Sequence, residues 1–192
     1  MNDLRLFLAI PCPPVLAARL TQVQQELLAS TWDLRFSAPE DLHLTLHFLG
    51  ATPPRLVDDL KRELGAIAHA RRPFDLVCGG VGCFPDESQP RVVYAAIVDP
   101  ANKLQDLFEA TRRILNAYRL FKLGGELTPH LTLARVSKLS AAWDPALLRG
   151  LAPQWEKFGG YPVEHILLMV GLLDREAGKR YEVLADLRLG GE

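Results

Sequence analysis

Short apolar runs alternate along this chain with longer segments in which apolar residues recur at helical spacing. Residues 4–10 form an apolar run that ends at a proline, which predicts a buried strand. Residues 15–29 carry apolar side chains three or four positions apart, which predicts an amphipathic helix. The same periodicity predicts helices over residues 55–69 and 102–118.

The remaining strand-like runs fall in pairs between these helices. Residues 74–84 read as a strand that glycines bend or bulge, and residues 141–152 read as a short helix. Two further strands are predicted on either side of a turn at 37–41, and single strands over 91–98 and from residue 130. The last two predicted strands, 163–173 and 179–189, are joined by a turn at 174–178. Paired strands between single helices do not fit regular β-α-β units, so we expect an α+β fold with antiparallel sheets.

The tetrapeptide His-Leu-Thr-Leu occurs twice, at residues 43–46 and at residues 130–133. Each copy lies on a predicted strand within a helix-bearing unit. This correspondence indicates an internal duplication with two similar lobes that face each other. Because the sequence has no evident linker or low-complexity segment, we expect residues 1–192 to form a single bilobal domain.

Strand alternation separates the side chains of each copy into an apolar face and a polar face. The expected polar face carries His43, Thr45 and His47 in the first copy and His130, Thr132 and Ala134 in the second. The expected apolar face carries Leu44, Leu46 and Phe48 in the first copy and Leu131, Leu133 and Arg135 in the second. The leucines are therefore expected in the core, with one imidazole and one hydroxyl side by side on the opposite face.

Two such polar faces brought together across a cleft would have the groups that cleave a phosphodiester. A neutral imidazole takes a proton from water, and a protonated imidazole donates one to a leaving oxygen. His43 and His130 are the candidates for these steps. The hydroxyls of Thr45 and Thr132 can donate hydrogen bonds to the phosphate oxygens between them. The two histidines cannot be told apart by this reasoning.

Composition restricts the partners and the cellular setting. Lysine and arginine number 22 and aspartate and glutamate 23, so any anion-binding surface has to be a local cluster of charge. The three cysteines, Cys12, Cys78 and Cys83, contain no CxxC pair, and we expect free thiols in a cytoplasmic protein. Neither a membrane span nor a signal peptide is expected from the sequence.

A metal site is the less favoured reading of the histidines. His43 and His47 stand about 13 Å apart along a strand, which is too far for both to bind one ion. Threonine is a poor ligand, and no HExxH or aspartate-rich motif is present. We therefore expect catalysis with no metal and no other cofactor.

With these residues in hand, the sequence resembles the two-histidine (2H) phosphoesterase superfamily, whose mark is a pair of HxTx motifs. Within it the chain is similar to the LigT-type RNA 2′,3′-cyclic phosphodiesterases, also called 2′-5′ RNA ligases. The matching stretches follow the family's order over nearly the whole chain: RLFLAI, LHLTLHFLG, PRVVYAAI, TPHLTLARV and GKRYEVLADLRL.

The resemblance implies a bilobal, pseudo-two-fold α+β fold with the histidines in a central cleft. It also implies metal-independent hydrolysis of a nucleoside 2′,3′-cyclic phosphate to the 2′-phosphate. By position, His43 matches the family's proton donor to the departing 3′ oxygen, and His130 matches the acceptor that activates water. Thr45 and Thr132 match the threonines that hold the phosphate.

Several neighbouring residues remain open at this stage. Arg135 could help to bind phosphate if the strand bulges, or it could serve structure. Phe7 and Phe48 could stack a base, although core packing is expected for both, and His47 would lie at the rim of the site. The family often has a serine in its penultimate strand, whereas this chain has Val170 or Gly171 there.

The implied substrate is RNA or an oligonucleotide with a 2′,3′-cyclic phosphate end, handled by a monomer. Two other functions stay possible from the sequence alone. One is 2′-5′ RNA ligation, in which a ribose hydroxyl replaces water at the same histidines. The other is a non-catalytic RNA- or nucleotide-binding module, although such a module would be expected to lack one of the two histidines.

Overall fold

The computed structural model of the chain describes residues 3–28, 33–120, 126–138, 158–172 and 180–191. These residues form nine strands and three α-helices in an antiparallel α+β arrangement. The strands are β1 (Leu4–Pro11), β2 (Asp33–Phe36), β3 (His43–Thr52), β4 (Phe74–Phe84), β5 (Val92–Val98), β6 (His130–Lys138), β7 (Gly159–Val163), β8 (His165–Gly171) and β9 (Tyr181–Arg188). The helices are α1 (Pro14–Leu28), α2 (Val57–His69) and α3 (Lys103–Ala117).

The strands pair in the order β7-β4-β5-β6-β3-β1-β8-β9, and β2 adds to β6. This order consists of two four-stranded halves, β9-β8-β1-β3 and β7-β4-β5-β6, which meet where Leu44 of β3 pairs with Leu131 of β6. All of the pairings between these strands are antiparallel. The α+β fold is confirmed, and each His-Leu-Thr-Leu copy lies on the inner edge of one half.

The three helices cover one face of the strands. Helix α1 packs against β6 and β7, α2 against β8 and β9, and α3 against β3. Leu44 and Leu131 are fully buried in a core that extends through both halves. Because alternate side chains of a strand point to opposite faces, the histidines and threonines beside these leucines point away from that core.

The C-terminal strands differ from the sequence prediction in one respect. A single strand was expected from residue 163, but the chain forms two strands that separate at Glu164. Strand β7 pairs with β4, whereas β8 pairs with β1 in the other half. The change of hydrogen-bond partners at Glu164 depends on strands that are distant in sequence, so the local pattern did not reveal it.

Tyr161 of β7 stabilises the place where the chain passes from one half of the sheet to the other. Its single hydroxyl proton is shared between the carbonyl oxygens of Ile10 (2.9 Å) and Pro11 (3.1 Å) at the end of β1. The side chain is completely buried, so these bonds connect the two halves through the protein interior.

Helix ends also shift slightly from their expected positions. A 3-10 turn at Pro54–Leu56 precedes α2 and takes the residues expected in its first turn. The short helix expected at 141–152 and the turn expected at 174–178 lie outside the described residues.

Candidate active site

The two His-Thr pairs lie together at the centre of the sheet. Since β3 and β6 run antiparallel around the pair Leu44–Leu131, His43 lies level with Thr132, and Thr45 lies level with His130. The four side chains line one cleft with a volume of about 630 Å³. Cavities of this size hold small organic ligands.

Both histidines are held by the same hydrogen bond. Nδ1 of His43 lies 2.7 Å from the carbonyl oxygen of Asp41, and Nδ1 of His130 lies 2.7 Å from that of Thr128. A carbonyl oxygen only accepts, so Nδ1 donates in each ring. Nε2 is therefore the atom of each imidazole that is available for proton transfer.

Aromatic rings flank each histidine. Around His43, the ring of Phe7 lies at 5.2 Å and that of Tyr181 at 5.3 Å between centroids. Phe7 is buried in a small cluster with Ala9, Leu167 and Met169, which confirms the packing role expected for it.

Around His130, the ring of Phe84 lies at 5.0 Å and that of Tyr94 at 5.6 Å. The sequence reasoning did not select Phe84, Tyr94 or Tyr181. A signal for Tyr94 was present, because residues 94–97 (YAAI) repeat the pattern of residues 7–10 (FLAI) on the strand that neighbours the other motif.

Both motif strands contain a β-bulge directly after the threonine. Successive residues Ala9 and Leu8 of β1 pair with Thr45 and His47 of β3, which leaves Leu46 as the extra residue. Successive residues Tyr94 and Val93 of β5 pair with Thr132 and Ala134 of β6, which leaves Leu133 as the extra residue. A bulge of this kind interrupts the alternation of faces, so the residues directly beyond it change side.

The first bulge overturns two expectations about β3. His47 does not lie on the same face as His43 and Thr45. It is 2% exposed, its Nε2 lies 2.9 Å from Thr111 Oγ1, and its ring stacks on Phe108 of α3 at 4.3 Å. Phe48 does not lie on the leucine face; it is 72% exposed and lines the cleft. Gly50, with a φ of +72°, follows in the left-handed region that favours glycine.

Burial has a large effect on His47. Removal from water lowers the pKa of its imidazole to about 4, although the carbonyl of Phe108 opposes this shift. The ring is therefore neutral at physiological pH and belongs to the packing between β3 and α3.

The second bulge places Arg135 on the cleft side of β6. Its side chain is exposed and lines the cleft with the His-Thr pairs, whereas Ala134 is buried. Strict alternation had assigned Arg135 to the opposite face, and the bulge is the reason for the difference.

Two further arginines line the cleft that the sequence reasoning did not select. Arg5 lies on β1 with the same parity as Phe7, which is the signal that could have identified it. Arg180 immediately precedes β9, and its Nε lies 3.9 Å from Oδ2 of Asp41. The cleft is therefore more cationic than the composition of the chain suggests.

The electrostatic surroundings of His43 favour its neutral form. Burial lowers the pKa of His43, and the positive charges of His130 and Arg135 act in the same direction. The carbonyl and the carboxylate of Asp41 oppose this shift. An anion bound between these residues would raise the pKa again, because it stabilises the imidazolium.

Val170 and Gly171, the two candidates for the position where the family often has a serine, differ in their surroundings. Val170 is buried in the core, whereas Gly171 ends β8 and lines the cleft. A side chain at Gly171 would meet Arg5, since a Cβ atom there would lie 3.7 Å from the Arg5 carbonyl oxygen.

The described residues offer no obvious metal site. No three of their histidine, cysteine, aspartate and glutamate side chains lie close enough to hold an ion together. The three cysteines are free thiols. No helix in the described ranges is long and apolar enough to cross a membrane.

An antiparallel sheet with two His-x-Thr strands side by side at its centre defines a two-histidine phosphoesterase. Comparison with known proteins agrees with this class. The family model described as LigT like Phosphoesterase matches residues 10–94. An RNA 2′,3′-cyclic phosphodiesterase of Thermus thermophilus is 32% identical over 194 residues, covering 98% of this chain and 92% of the relative. A protein of the same name from Aquifex aeolicus is 31% identical over 157 residues, covering 80% of each chain.

Solved structures share the fold over their full length. The crystal structure of TT0787 from Thermus thermophilus superposes with a TM-score of 0.81 at 29% identity, covering 98% of this chain and 99% of that one. Escherichia coli LigT complexed with 3′-AMP gives a TM-score of 0.77 at 23% identity, with coverage of 98% and 99%. The chain belongs to the LigT-like phosphoesterase family.

Proposed function

We propose that this cleft hydrolyses the 2′,3′-cyclic phosphate at the end of an RNA, or of a nucleoside, to a 2′-phosphate. The relatives named as RNA 2′,3′-cyclic phosphodiesterases support this activity. The observation that carries the proposal is the matched pair of His-Thr units, each with its Nδ1 tied to the backbone and its Nε2 available for proton transfer. The whole chain acts as one bilobal domain in this proposal.

The reaction needs one proton removed and one supplied on opposite sides of the phosphorus. Neutral His130 takes a proton from water at Nε2 while the water oxygen bonds to phosphorus. The bond from phosphorus to the 3′ oxygen breaks, and protonated His43 donates its Nε2 proton to that oxygen. The assignment of the two roles follows the family resemblance.

The phosphate itself prepares His43 for its role. Burial lowers the pKa of His43, which favours the neutral imidazole. A bound phosphate anion stabilises the imidazolium and raises this pKa. The acid is then formed when the substrate is present.

Thr45 and Thr132 hold the phosphate between the histidines. Each hydroxyl can donate a hydrogen bond to a non-bridging oxygen. Arg135, which the bulge turns into the cleft, adds a permanent positive charge where negative charge develops. Together these three residues bind the transition state more tightly than the ground state.

The test uses adenosine 2′,3′-cyclic phosphate and the variants His43→Gln and His130→Gln. Each variant should lose about 10²–10⁴-fold in kcat while its thermal unfolding stays unchanged. His165→Gln on the sheet surface is the matched control and should keep full activity. A fully active His43 or His130 variant would refute the acid–base pair.

Two measurements refine the proposal. Activity should persist in EDTA, and product separation should yield the 2′-phosphate only. With bis(p-nitrophenyl) phosphate, whose leaving group departs without a proton, His43→Gln should retain more activity than His130→Gln. The reverse order would exchange the two roles.

A further inference from the structure

A second, smaller cavity adjoins the catalytic cleft. Its volume is about 240 Å³, and four arginines line it: Arg5, Arg35, Arg135 and Arg180. We call it the arginine cavity. Arg5, Arg135 and Arg180 line the cleft as well, so the two spaces adjoin. Arg35 lines only the arginine cavity.

Among the residues that the structure describes, few negative charges balance these arginines. Asp41 lies 3.9 Å from Nε of Arg180. Within the described ranges, the side chains of Arg5, Arg35 and Arg135 have no carboxylate partner. The chain as a whole has a formal net charge of −1, so the cavity concentrates positive charge that the rest of the molecule offsets.

The arrangement of two of the arginines costs stability. Arg35 of β2 and Arg135 of β6 are directly opposite each other in the antiparallel register. Like charges at such positions repel each other and destabilise the strand pair. An anion that binds between the two arginines offsets their repulsion, so an anion-binding site explains why they lie opposite each other.

The chemistry of a cyclic-phosphate end identifies the anion. On such a ribose, phosphate is attached at the 2′,3′ ring and at the 5′ oxygen. If the ring phosphate lies between the His-Thr pairs, the second phosphate within reach of the same nucleotide is the one at the 5′ oxygen. Arginine suits this group, since its guanidinium binds phosphate oxygens in pairs.

We infer that the arginine cavity binds the phosphate on the 5′ oxygen of the terminal ribose, which in RNA is the first phosphodiester of the chain. The inference rests on the proposed function and deepens it. It makes the preferred substrate an RNA end rather than a free nucleoside cyclic phosphate. Arg35 sets this preference and takes no part in the hydrolysis itself.

The experiment compares three substrates that share adenosine 2′,3′-cyclic phosphate. The first is the nucleoside, the second adds a 5′-monophosphate, and the third is the dinucleotide in which the 5′ oxygen carries a phosphodiester. The enzymes are the wild type, Arg35→Gln and Arg35→Lys, with Arg55→Gln at an exposed turn as the matched control. Thermal unfolding of each variant checks that it is folded.

The wild type should have a higher kcat/KM for the dinucleotide than for the nucleoside. Arg35→Gln should lower kcat/KM for the dinucleotide about tenfold, leave the nucleoside unchanged, and be partly rescued by lysine. The salt dependence of log kcat/KM for the dinucleotide should become shallower by about 0.7 in Arg35→Gln. Arg55→Gln should change none of these values.

The outcomes separate the inference from the proposed function. If the wild type hydrolyses no cyclic phosphate, the proposed function fails and this inference fails with it. If all substrates are hydrolysed and Arg35→Gln affects them equally or not at all, only the inference is refuted. If the 5′-monophosphate gains from Arg35 and the dinucleotide does not, the cavity binds a mononucleotide phosphate, and the assignment to RNA is overturned.

Discussion

The buried imidazole of His47 makes the stability of this protein depend on pH in a way that a single substitution can isolate. His47 Nε2 lies 2.9 Å from Thr111 Oγ1 and 3.1 Å from the Phe108 carbonyl oxygen. Both oxygens can accept, because the Thr111 hydroxyl donates to the carbonyls of Leu107 and Phe108. The amide of His47→Gln can donate to the same oxygens but does not titrate.

The size of the effect follows from the two pKa values of His47. The unfolded imidazole has a pKa near 6.5, and burial lowers it to about 4 in the folded protein. Below pH 6.5 the unfolded state therefore binds a proton that the folded state does not bind, so the free energy of unfolding falls as the pH falls. This loss continues down to about pH 4. At pH 5 it amounts to about 2 kcal/mol relative to pH 7.5.

The measurement is urea unfolding of the wild type and His47→Gln at pH 7.5 and pH 5. The cost of the substitution should be about 2 kcal/mol smaller at pH 5 than at pH 7.5, because only the wild type has lost stability through this residue. Other titrating groups are present in both proteins and cancel in the difference. His69→Gln is the matched control, since that side chain is exposed. A cost of His47→Gln that stays the same at the two pH values would refute the reasoning.

Three further outcomes follow from other parts of the structure. Tyr161→Phe leaves the carbonyls of Ile10 and Pro11 without this donor and should lower the free energy of unfolding by about 1–3 kcal/mol in urea titrations. An unchanged midpoint would show that this hydrogen bond between the halves contributes nothing. Gly82→Ala places a Cβ 2.7 Å from the Tyr94 ring, which must move from its place beside the His130 imidazole, so kcat for a cyclic phosphate should fall several-fold while the unfolding temperature changes little if His130 has the proposed role. Burial raises the pKa of Cys12 and of Cys78 to about 12, so neither thiol should react with a disulfide reagent at pH 8 until the protein is unfolded, and rapid labelling of either one in the folded protein would contradict this.

The sequence predicted most of the fold because its strands and helices follow simple periodicities. The buried run at β1 and the helical spacing of α2 and α3 needed no tertiary information. Strand β7 was missed, since the Gly-Gly-Tyr-Pro segment at residues 159–162 has no apolar alternation and is ordered by its pairing with β4. The crossing at Glu164 was missed for a related reason, because it depends on partners that are distant in sequence.

In the candidate site, the sequence correctly grouped the residues that come before the bulges and misplaced those that come after them. His43, Thr45, His130 and Thr132 precede the irregularities, so strict alternation applies to them. His47, Phe48 and Arg135 follow the irregularities and appear on the opposite face from the one expected. A bulge depends on how the neighbouring strand pairs, and no single-strand pattern reveals it. The catalytic roles of these residues remain predictions.

The two bulges also place different side chains at equivalent positions of the two halves of the cleft. In each motif strand, the position two residues beyond the bulge returns to the cleft, and it is Phe48 in one half and Arg135 in the other. A perfectly symmetric cleft would accept a phosphate in two equivalent orientations. A flat aromatic ring on one side and a guanidinium on the other remove that equivalence, so an asymmetric ligand such as a nucleotide has one preferred direction. The two motif strands thus form a symmetric backbone arrangement, and the unlike side chains of Phe48 and Arg135 make the cleft asymmetric.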